Sequence, residues 1–354
     1  MKHLPLTLPG CVAAAAVIAL VSAPHGSRAA DTGTIGFLIS DYTTSARWQF
    51  DRQYFIEALK KLDPGLNVVV DDAKVDQTRQ QTQASSLLTS GAKLLLDVPV
   101  DATQASAIVR AAHGNSPRVP VIAYDRIIKG ADVDAYVTFD PVAVGRQQAQ
   151  YVVDHVKSGT IISIAGAETD NNAILFHQGA MEVLQPLIKS GRYKLAYDRY
   201  TPGWDSNAAQ AETSSALNNL GNKVDAVIAA NDGLAGGVVA ALKAQNLQGK
   251  VVVTGQDATV AGLQNILVGT QSMTVYKPIR KLAEAAATMT DSFLKGQKPK
   301  TNTKMNNGTI DVPTMLLPVV AVTKANIKST VIADGFVTKA QLCNGIPASA
   351  CSGL

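Results

Sequence analysis

The sequence predicts an α/β protein with two parallel-sheet domains. Short apolar runs rich in β-branched residues alternate with stretches of helical periodicity, which is the pattern of a parallel βαβ sheet. Six of these runs end at a polar side chain, and they cover residues 35–39, 119–124, 161–165, 224–230, 251–255 and 270–276. Because ligands bind beyond the carboxyl ends of parallel strands, the polar ends indicate one binding site assembled from many strands.

The length and charge of the chain favour a globular protein that binds neither nucleic acid nor a membrane surface. The 354 residues are enough for about two domains, and the hydrophobic and charged fractions are 46% and 17%. The formal net charge is +4. Lys2 and Arg28 lie in a predicted N-terminal signal, so the mature chain carries a small positive charge, too small to indicate a polyanionic partner.

Residues 1–30 have the pattern of a secretory signal. Lys2 precedes the apolar stretch Cys11–Ala23, which is too short to span a bilayer, and Ser27-Arg28-Ala29 resembles a cleavage site. We therefore predict export to the periplasm, with cleavage near Ala29 or Ala30. Leu8–Cys11 resembles a lipoprotein signal, but it precedes the apolar stretch, which favours a soluble exported form over a lipid-anchored one.

Cys343 and Cys351 are the cysteines of the mature chain, and both lie in the C-terminal tail, residues 343–354. In an exported protein, two cysteines at this spacing predict a disulfide. A redox pair or a metal site is the alternative, but cysteine and histidine are too sparse for a zinc cluster.

The first half of the chain alternates regularly between strands and helices. Strands are predicted at 34–39, 67–70, 93–98, 119–124 and 136–139, and helices at 48–62, 77–89 and 102–113. Phe55, Ile56 and Leu59 share one face of the first helix, and Gly91 ends the second.

A second series of the same kind begins at Pro141. Helices are predicted at 142–156, 172–189, 205–219, 233–245 and 259–267, and strands at 160–165, 193–200, 224–230 and 251–255. This repetition predicts two similar domains joined near residues 139–142.

After the second series, the chain is predicted to return to the first domain. Strand 270–276 ends at Lys277-Pro278, and Pro278 suits the first turn of a helix at 279–294. Residues 302–313 are polar and loop-like, and Met315–Val322 is a further apolar run that predicts a third crossing. Three crossings form a hinge over a cleft that closes around a small ligand. The predicted lobes are 31–139 with 276–313, and 140–275 with 314–342.

Trp48 and Trp204 are the only tryptophans of the chain, and each follows a predicted strand. Flat aromatic faces stack on the C–H side of a sugar ring, while polar groups bind its hydroxyl edge. The alternative is that both rings are packing residues.

Asp125-Arg126 is the most specific dipeptide at a strand end. A carboxylate and a guanidinium there can accept from and donate to neighbouring hydroxyl groups, and Arg is preorganised for two parallel hydrogen bonds. An ordinary surface ion pair is the alternative interpretation.

Further polar residues at strand ends are Asn172, Asn231, Asp257 and Lys277. Asparagine both donates and accepts, which suits a hydroxyl group. Asn172, Asn231 and Asp257 could each be helix N-caps instead, and Lys277 could be solvated. Arg47, Arg126 and Lys277 with Asp125 and Asp257 would give a shared cleft a charge near +1, which fits a polyol without excluding an anionic ligand.

Sequence templates of common enzymes are absent. There is no Gly-x-Ser-x-Gly elbow, Walker loop or Gly-x-Gly-x-x-Gly motif. A sugar-processing enzyme would need a paired acid and base; Asp125 and Asp257 are candidates, but the cation beside each indicates stable ionisation. We therefore predict no catalytic residue, cofactor or metal. A transcriptional regulator would need an N-terminal helix-turn-helix, where this chain has its predicted signal.

Several segments resemble the periplasmic sugar-binding proteins of ABC importers. They cover residues 46–49, 121–126, 170–173, 229–232, 255–258 and 273–278. Asp-Arg after a strand and Gly-Gln-Asp at 255–257 are shared across the type I group, which includes ribose and galactose binders. Arg47-Trp48, Trp204 and Tyr276-Lys277-Pro278 are narrower features and resemble the xylose-binding branch. The resemblance covers about residues 33–336 and excludes the cysteine-containing tail.

The resemblance implies two Rossmann-like domains joined by a three-segment hinge, with a monosaccharide between Trp48 and Trp204. A pentose, most specifically D-xylose, is the implied ligand, and an ABC permease in the inner membrane is the implied partner of a monomeric binding protein. The residues that it assigns to hydroxyl recognition are Arg47, Asp125, Arg126, Asn172, Asn231, Asp257 and Lys277. Another pentose, a hexose or a sugar acid is the alternative ligand, and a chemotaxis receptor is the alternative partner.

Overall fold

The computed structural model describes residues 33–43, 45 and 47–354. The predicted signal at residues 1–30 lies outside the described residues. Within the described ranges, no helix combines the length and the apolarity that a bilayer crossing requires.

The helices and strands follow one another in alternation through most of the described chain. In chain order they are β1 (Thr34–Ile39), α1 (Trp48–Leu62), β2 (Asn67–Asp72), α2 (Gln77–Thr89), β3 (Leu94–Asp97), α3 (Ser106–His113), β4 (Val121–Tyr124), β5 (Ala135–Phe139), α4 (Pro141–His155), β6 (Gly159–Ala165), α5 (Asn171–Lys189), β7 (Tyr193–Tyr200), α6 (Ser206–Asn219), β8 (Ala226–Ala229), α7 (Asp232–Ala244), β9 (Val252–Val253), α8 (Val260–Val268), β10 (Thr274–Tyr276), α9 (Ile279–Leu294), β11 (Thr303–Asn306), β12 (Asp311–Leu317), β13 (Val320–Val322) and α10 (Lys339–Cys343). Short helical turns cover Pro202–Trp204, Lys328–Ile332 and Ala348–Cys351.

The first lobe is built on a seven-stranded sheet with the order β11-β12-β5-β4-β3-β1-β2. Its central strands are parallel, and Leu95 lies between Gly36 and Val121 in register. Helix α9 packs against α1 and so belongs to this lobe, although it follows the second series in the chain. The parallel pairing brings the carboxyl ends of β1, β3 and β4 to the same edge of the sheet.

The second lobe is built on a parallel sheet with the order β7-β6-β8-β9. Strand β10 pairs antiparallel with β13, and Val275 forms a parallel bridge with Gln256 beyond the end of β9. The predicted α/β class and the two parallel-sheet lobes are confirmed. The carboxyl ends of β6, β8 and β9 meet at one edge of this sheet.

The predicted lobe boundary at residue 314 is wrong. Thr314–Leu317 pairs in parallel with Tyr136–Phe139 of the first lobe, so β12 belongs there in full. The apolar run Met315–Val322 contains Pro318, which separates β12 from β13, and the last crossing lies at this proline. The run, predicted as a third crossing, therefore consists of two strands in different lobes.

The C-terminal tail is attached to the second lobe. The side chain of Gln264 in α8 donates to the carbonyl oxygens of Leu342 and Asn344 at 3.2 and 2.8 Å. A disulfide joins Cys343 to Cys351. The short helices of the tail thus lie on α8.

Asp97, the last residue of β3, is completely buried. Neither of its carboxyl oxygens has a hydrogen-bond partner among the described residues, and burial raises the pKa of this carboxyl to about 8. In the unfolded chain the same group ionises near pH ~4. The folded state therefore retains a proton that the unfolded state releases, and the free energy of unfolding falls as the pH rises from about 4 towards 8.

Asp97→Asn is expected to stabilise the protein against urea, by about 1 kcal/mol near pH 5 and by a few kcal/mol near pH 8, because each unit of pKa shift is worth ~1.4 kcal/mol. Urea unfolding at the two pH values measures this difference. The matched control is Asp154→Asn, which removes an exposed carboxylate of α4. An Asp97→Asn variant whose advantage does not grow with pH contradicts the buried neutral carboxyl.

Candidate functional site

A cavity lies between the two lobes, at the carboxyl ends of their strands. Its wall contains every residue that the sequence predicted for the ligand site: Arg47, Trp48, Asp125, Arg126, Asn172, Trp204, Asn231, Asp257 and Lys277. Four residues that the sequence did not assign to the site also line it: Ser45, Asp170, Phe176 and Gln256. The fold thus brings one set of side chains together from strand ends that are far apart in sequence.

Arg47 is the most buried cation of the cavity wall, with 2% of its surface exposed. Its Nε lies 3.0 Å from Asp51 Oδ2, and its Nη2 lies 2.9 Å from Asp125 Oδ2. Asp51 also accepts a hydrogen bond of 2.6 Å from the Tyr124 hydroxyl. Burial lowers the pKa of Arg47, but the neighbouring carboxylates outweigh that effect and hold it above its ordinary value. This guanidinium is therefore a fixed positive charge.

Lys277 joins the carboxylates of the two lobes. Its Nζ lies 3.0 Å from Asp257 Oδ1 and 3.8 Å from Asp125 Oδ2. Burial raises the pKa of Asp125, but Arg47, Lys277 and Arg126 together hold it below its usual range. Asp125 is therefore ionised at neutral pH and can only accept hydrogen bonds.

Three further polar contacts, each at 2.9 Å or less, cross from one lobe to the other at the cavity. Arg126 Nε lies 2.7 Å from Asp170 Oδ2, and Asn172 Nδ2 donates to the Asp125 carbonyl oxygen at 2.9 Å. Ser45 Oγ donates to Asp257 Oδ2 at 2.7 Å. Because each pair takes one partner from each lobe, the structure has the lobes closed over the cavity.

The charges of the cavity wall balance. Arg47, Arg126 and Lys277 face three carboxylates, and the third of these is Asp170. The predicted charge near +1 is therefore wrong, because it counted only Asp125 and Asp257. A wall with zero formal charge suits a neutral ligand better than an anionic one.

The two carboxylates at the ends of β4 and β9 adopt matching backbone conformations. Asp125 has φ 62° and Asp257 has φ 94°, both in the left-handed region that costs free energy for a side chain other than glycine. Their backbone N–H groups donate to the carbonyl oxygens of Val137 and Val275, each at 2.8 Å. Each lobe thus uses a strained turn, fixed to the neighbouring strand, to aim one carboxylate at the cavity.

Both tryptophans line the cavity and also pack against protein groups. The Arg47 and Arg126 guanidinium carbons lie 4.4 and 5.6 Å from the centre of the Trp48 ring, within the range of cation–π attraction. Trp204 meets Phe176 edge-on, with ring centres 6.4 Å apart, and its indole lies against Gly166, where a Cβ would overlap the ring. Packing therefore holds the orientation of each indole.

Gly166→Ala is expected to displace the Trp204 indole and to weaken ligand binding in the cavity by about tenfold, the equivalent of ~1.4 kcal/mol. The added methyl group would overlap the ring, and the backbone of Gly166 needs no left-handed conformation, so the variant should still fold. A calorimetric titration with D-xylose, the ligand that the sequence resemblance implies, measures the change. Gly353→Ala, in the exposed tail, is the control, and equal affinities of Gly166→Ala and the wild type would remove the requirement for the indole's position.

Five buried polar atoms of the cavity residues have no hydrogen-bond partner among the described residues. Asp257 Oδ1 is ion-paired with Lys277, and the other four are Arg47 Nη1, Trp204 Nε1, Asn172 Oδ1 and Gln256 Oε1. Of these four, Arg47 Nη1 and Trp204 Nε1 are donors, and Asn172 Oδ1 and Gln256 Oε1 are acceptors.

The N-caps of two helices lie at the cavity. Asn231 Oδ1 accepts from the Leu234 N–H at 2.8 Å and caps α7. The sequence offered an N-cap as the alternative to a cavity position for Asn231. The structure shows that Asn231 has both positions. At the start of α5 the N-cap is Asp170 and not Asn172.

Comparisons with known proteins agree with this geometry. The family model described as a periplasmic binding protein domain matches residues 35–298. The chain is 42% identical to the D-xylose-binding periplasmic protein of Escherichia coli (strain K12), over 87% of this chain and 92% of that one. It is 41% identical to the D-xylose-binding periplasmic protein of Haemophilus influenzae, over 86% and 90%.

A solved structure also matches over most of its length. The carbohydrate transporter solute-binding protein from Chloroflexus aurantiacus, in complex with D-glucose, has 34% identity and a TM-score of 0.81, and the match covers 88% of this chain and 98% of that one. The resemblance found in the sequence is thereby confirmed. The chain belongs to the family of periplasmic binding proteins.

Proposed function

We propose that the chain captures D-xylose in the periplasm and delivers it to an ABC importer. The two xylose-binding relatives, at 42% and 41% identity over most of both chains, support the choice of sugar. The balanced charge of the cavity wall supports a neutral ligand. The proposed ligand contacts are those of the nine residues derived from the sequence, together with Gln256 and Asp170.

The observation that carries this proposal is the set of buried, unpartnered donors and acceptors around a cavity that two indoles line. A buried polar atom without a partner costs about 1–3 kcal/mol. A sugar hydroxyl donates one hydrogen bond and accepts others, so it can meet Arg47 Nη1 and Asn172 Oδ1 equally well. The ring's C–H faces can lie against Trp48 and Trp204. A polyol with an apolar face satisfies both requirements at once.

The contacts across the cleft explain how such a ligand would control the conformation. Arg126 and Asp125 belong to the first lobe, whereas Asn172, Trp204 and Asp257 belong to the second. A sugar that contacts both sets is bound more tightly by the closed form and therefore shifts the population towards it. The closed form is the one that we expect the inner-membrane permease to recognise.

We propose that no chemical step accompanies binding. Asp125 is held ionised by the surrounding cations, so it is an acceptor for hydroxyl groups and a poor proton donor. A sugar incubated with the protein should be recovered unchanged. Loss of sugar or formation of a new product would assign an enzymatic role instead.

Calorimetric titration of the mature protein with D-xylose, D-ribose, L-arabinose, D-glucose and D-galactose tests the ligand. We expect D-xylose to bind with the highest affinity, in the roughly micromolar range. D-glucose is the second candidate, because the Chloroflexus aurantiacus structure at 34% identity holds it. Tighter binding of D-glucose than of D-xylose would overturn the pentose assignment and keep the sugar-binding role.

A further inference from the structure

Asp232 lies behind the cavity wall and does not line the cavity. It is the first residue of α7, directly after Asn231, and it is buried. Its Oδ1 accepts from Gln271 Nε2 and Thr274 Oγ1, each at 2.8 Å. Its Oδ2 accepts from the Thr259 N–H at 2.8 Å and from the Thr259 hydroxyl at 3.2 Å. One carboxylate thus joins α7 to Thr259, which directly follows residues 256–258, and to the segment 271–274 at the start of β10.

Residues 256–258 form the strained turn that presents Gln256 and Asp257 to the cavity. Asp257 and Ala258 both have positive φ, 94° and 50°. Such conformations persist where surrounding contacts over-determine them. The Ala258 N–H donates to Thr274 Oγ1 at 3.2 Å, and the same hydroxyl donates to Asp232. The Gln256 carbonyl oxygen accepts from the Asp232 N–H at 2.9 Å, so backbone and side chain of Asp232 both hold the turn.

Two glycines leave room for this carboxylate. A Cβ at Gly255 would overlap Asp232 Oδ1, and a Cβ at Gly262 would overlap Oδ2. The backbone therefore approaches Asp232 closely from the end of β9 and from α8. The carboxylate fills a space shaped for it, with hydrogen-bond donors on each oxygen.

We propose that Asp232 is a positioning residue whose carboxylate fixes the 256–258 turn and thereby sets the affinity of the cavity for its sugar. This inference rests on the proposed function. Asp232 touches no sugar in this arrangement and acts through Gln256 and Asp257. The matching turn of the first lobe is held differently, because the Asp125 carbonyl oxygen accepts from the neutral hydroxyls of Tyr136 and Thr138 at 2.8 and 2.7 Å.

The carboxylate makes the turn of the second lobe sensitive to pH. Burial raises the pKa of Asp232 to about 7, against the lowering effect of the hydrogen bonds from Gln271 and Thr259. The charged group that acts on it most is Asp257, a second carboxylate. Arg47 of the first lobe and Asp232 line a second groove, but the Arg47 guanidinium contacts Asp51 and Asp125 and lies 4.0 Å from Asp257. Protonation of the Asp232 carboxylate would place a hydrogen atom on an oxygen that now accepts hydrogen bonds. The 256–258 turn would then lose one of the hydrogen bonds that hold it.

The test is the dissociation constant of D-xylose for the wild type and for Asp232→Asn, measured by calorimetry between about pH 5.5 and about pH 8.5. Above pH 7 we expect Asp232→Asn to bind about tenfold more weakly, the loss of one hydrogen bond to a charged group. The wild type should lose affinity towards acid pH, and the difference between the two proteins should shrink there. Asp76→Asn, at the N-cap of α2 in the first lobe, is the control and should follow the wild type.

Thr274→Val and Thr274→Ser give an independent readout. The valine keeps the shape but removes the hydroxyl that links Asp232 to Ala258, so it should weaken binding, whereas the serine keeps the hydroxyl and should bind like the wild type. Equal affinity of Asp232→Asn and the wild type at every pH, or a constant ratio between them across the range, would overturn the positioning role. A wild type that binds no sugar would reject the proposed function instead.

Discussion

Arg126→Ala is expected to lower the affinity for D-xylose by about 100-fold while the protein stays folded. Arg126 Nε forms the ion pair with Asp170 across the cleft at 2.7 Å, and its guanidinium lies over Trp48. In an open form both side chains would be solvated. The substitution therefore removes stabilising contacts mainly from the closed, ligand-bound form. Hydrogen bonds to charged groups contribute about 1.5–3 kcal/mol each, and two of them account for the expected change.

Calorimetry with D-xylose measures that effect, and thermal unfolding followed by circular dichroism checks the fold. Arg146→Ala is the matched control, because Arg146 forms an exposed ion pair with Glu182 away from the cavity, and it should bind sugar normally. Unchanged affinity of Arg126→Ala would remove Arg126 from the site. Loss of binding together with loss of the folded signal would assign it a structural role.

Arg47→Met is expected to lower the free energy of unfolding by about 3–5 kcal/mol, even without sugar. The guanidinium is the shared cation of Asp51 and Asp125, and both carboxylates are buried. Removing one partner of a buried ion pair leaves an uncompensated charge, which is the costly case. Methionine keeps much of the length and apolar volume of the side chain, so the loss reports the charge more than the packing.

Urea unfolding of the sugar-free protein measures this change. The double variant Arg47→Met/Asp51→Asn should recover part of the lost stability, because the carboxylate left without its cation is then neutral. Arg280→Met is the control, since Arg280 forms an exposed ion pair with Glu57. A wild-type unfolding midpoint for Arg47→Met would mean that solvent or other groups satisfy these carboxylates.

The positions of the site residues were predictable because residues that follow the strands of a parallel sheet lie together at its carboxyl edge. A polar residue after an apolar strand is visible in the sequence, and the fold brings all such strand ends to one edge. Asp125 follows β4 and Asp257 follows β9, and they meet through Lys277 in the cleft. No alignment of distant segments was needed to place these residues together.

The remaining wall residues carry weaker signals. Gln256 lies in the segment after β9 and Asp170 in the loop after β6, but each could equally have been a capping or loop residue. Asp170 is in fact both an N-cap and the partner of Arg126. Phe176 lies one helical turn after Asn172, and its apolar side chain there predicts a residue of the hydrophobic core. Ser45 lies in a polar loop with no pattern. Whether these residues line the cavity depends on the direction of their side chains across the cleft. That direction follows from the packing of the two lobes and is not visible in the neighbouring sequence.

The segment 302–313 was predicted as a loop, which is wrong for most of its length. It forms β11 and the start of β12, an antiparallel pair joined by a turn at Asn307-Gly308. Three of the four β11 residues are exposed, so the strand lacks the apolar alternation on which the prediction depended. β11 forms because it pairs with β12, and its own amino-acid composition does not favour a strand.

The most direct measurement is a tryptophan fluorescence titration of the mature protein with D-xylose. The chain has two tryptophans, and both line the cavity, so the signal reports this site. A saturable change at roughly micromolar D-xylose, shifted to about 100-fold higher concentration in Arg126→Ala, is the expected result. A folded protein whose fluorescence does not respond to D-xylose or to any other sugar of the panel would contradict binding between Trp48 and Trp204.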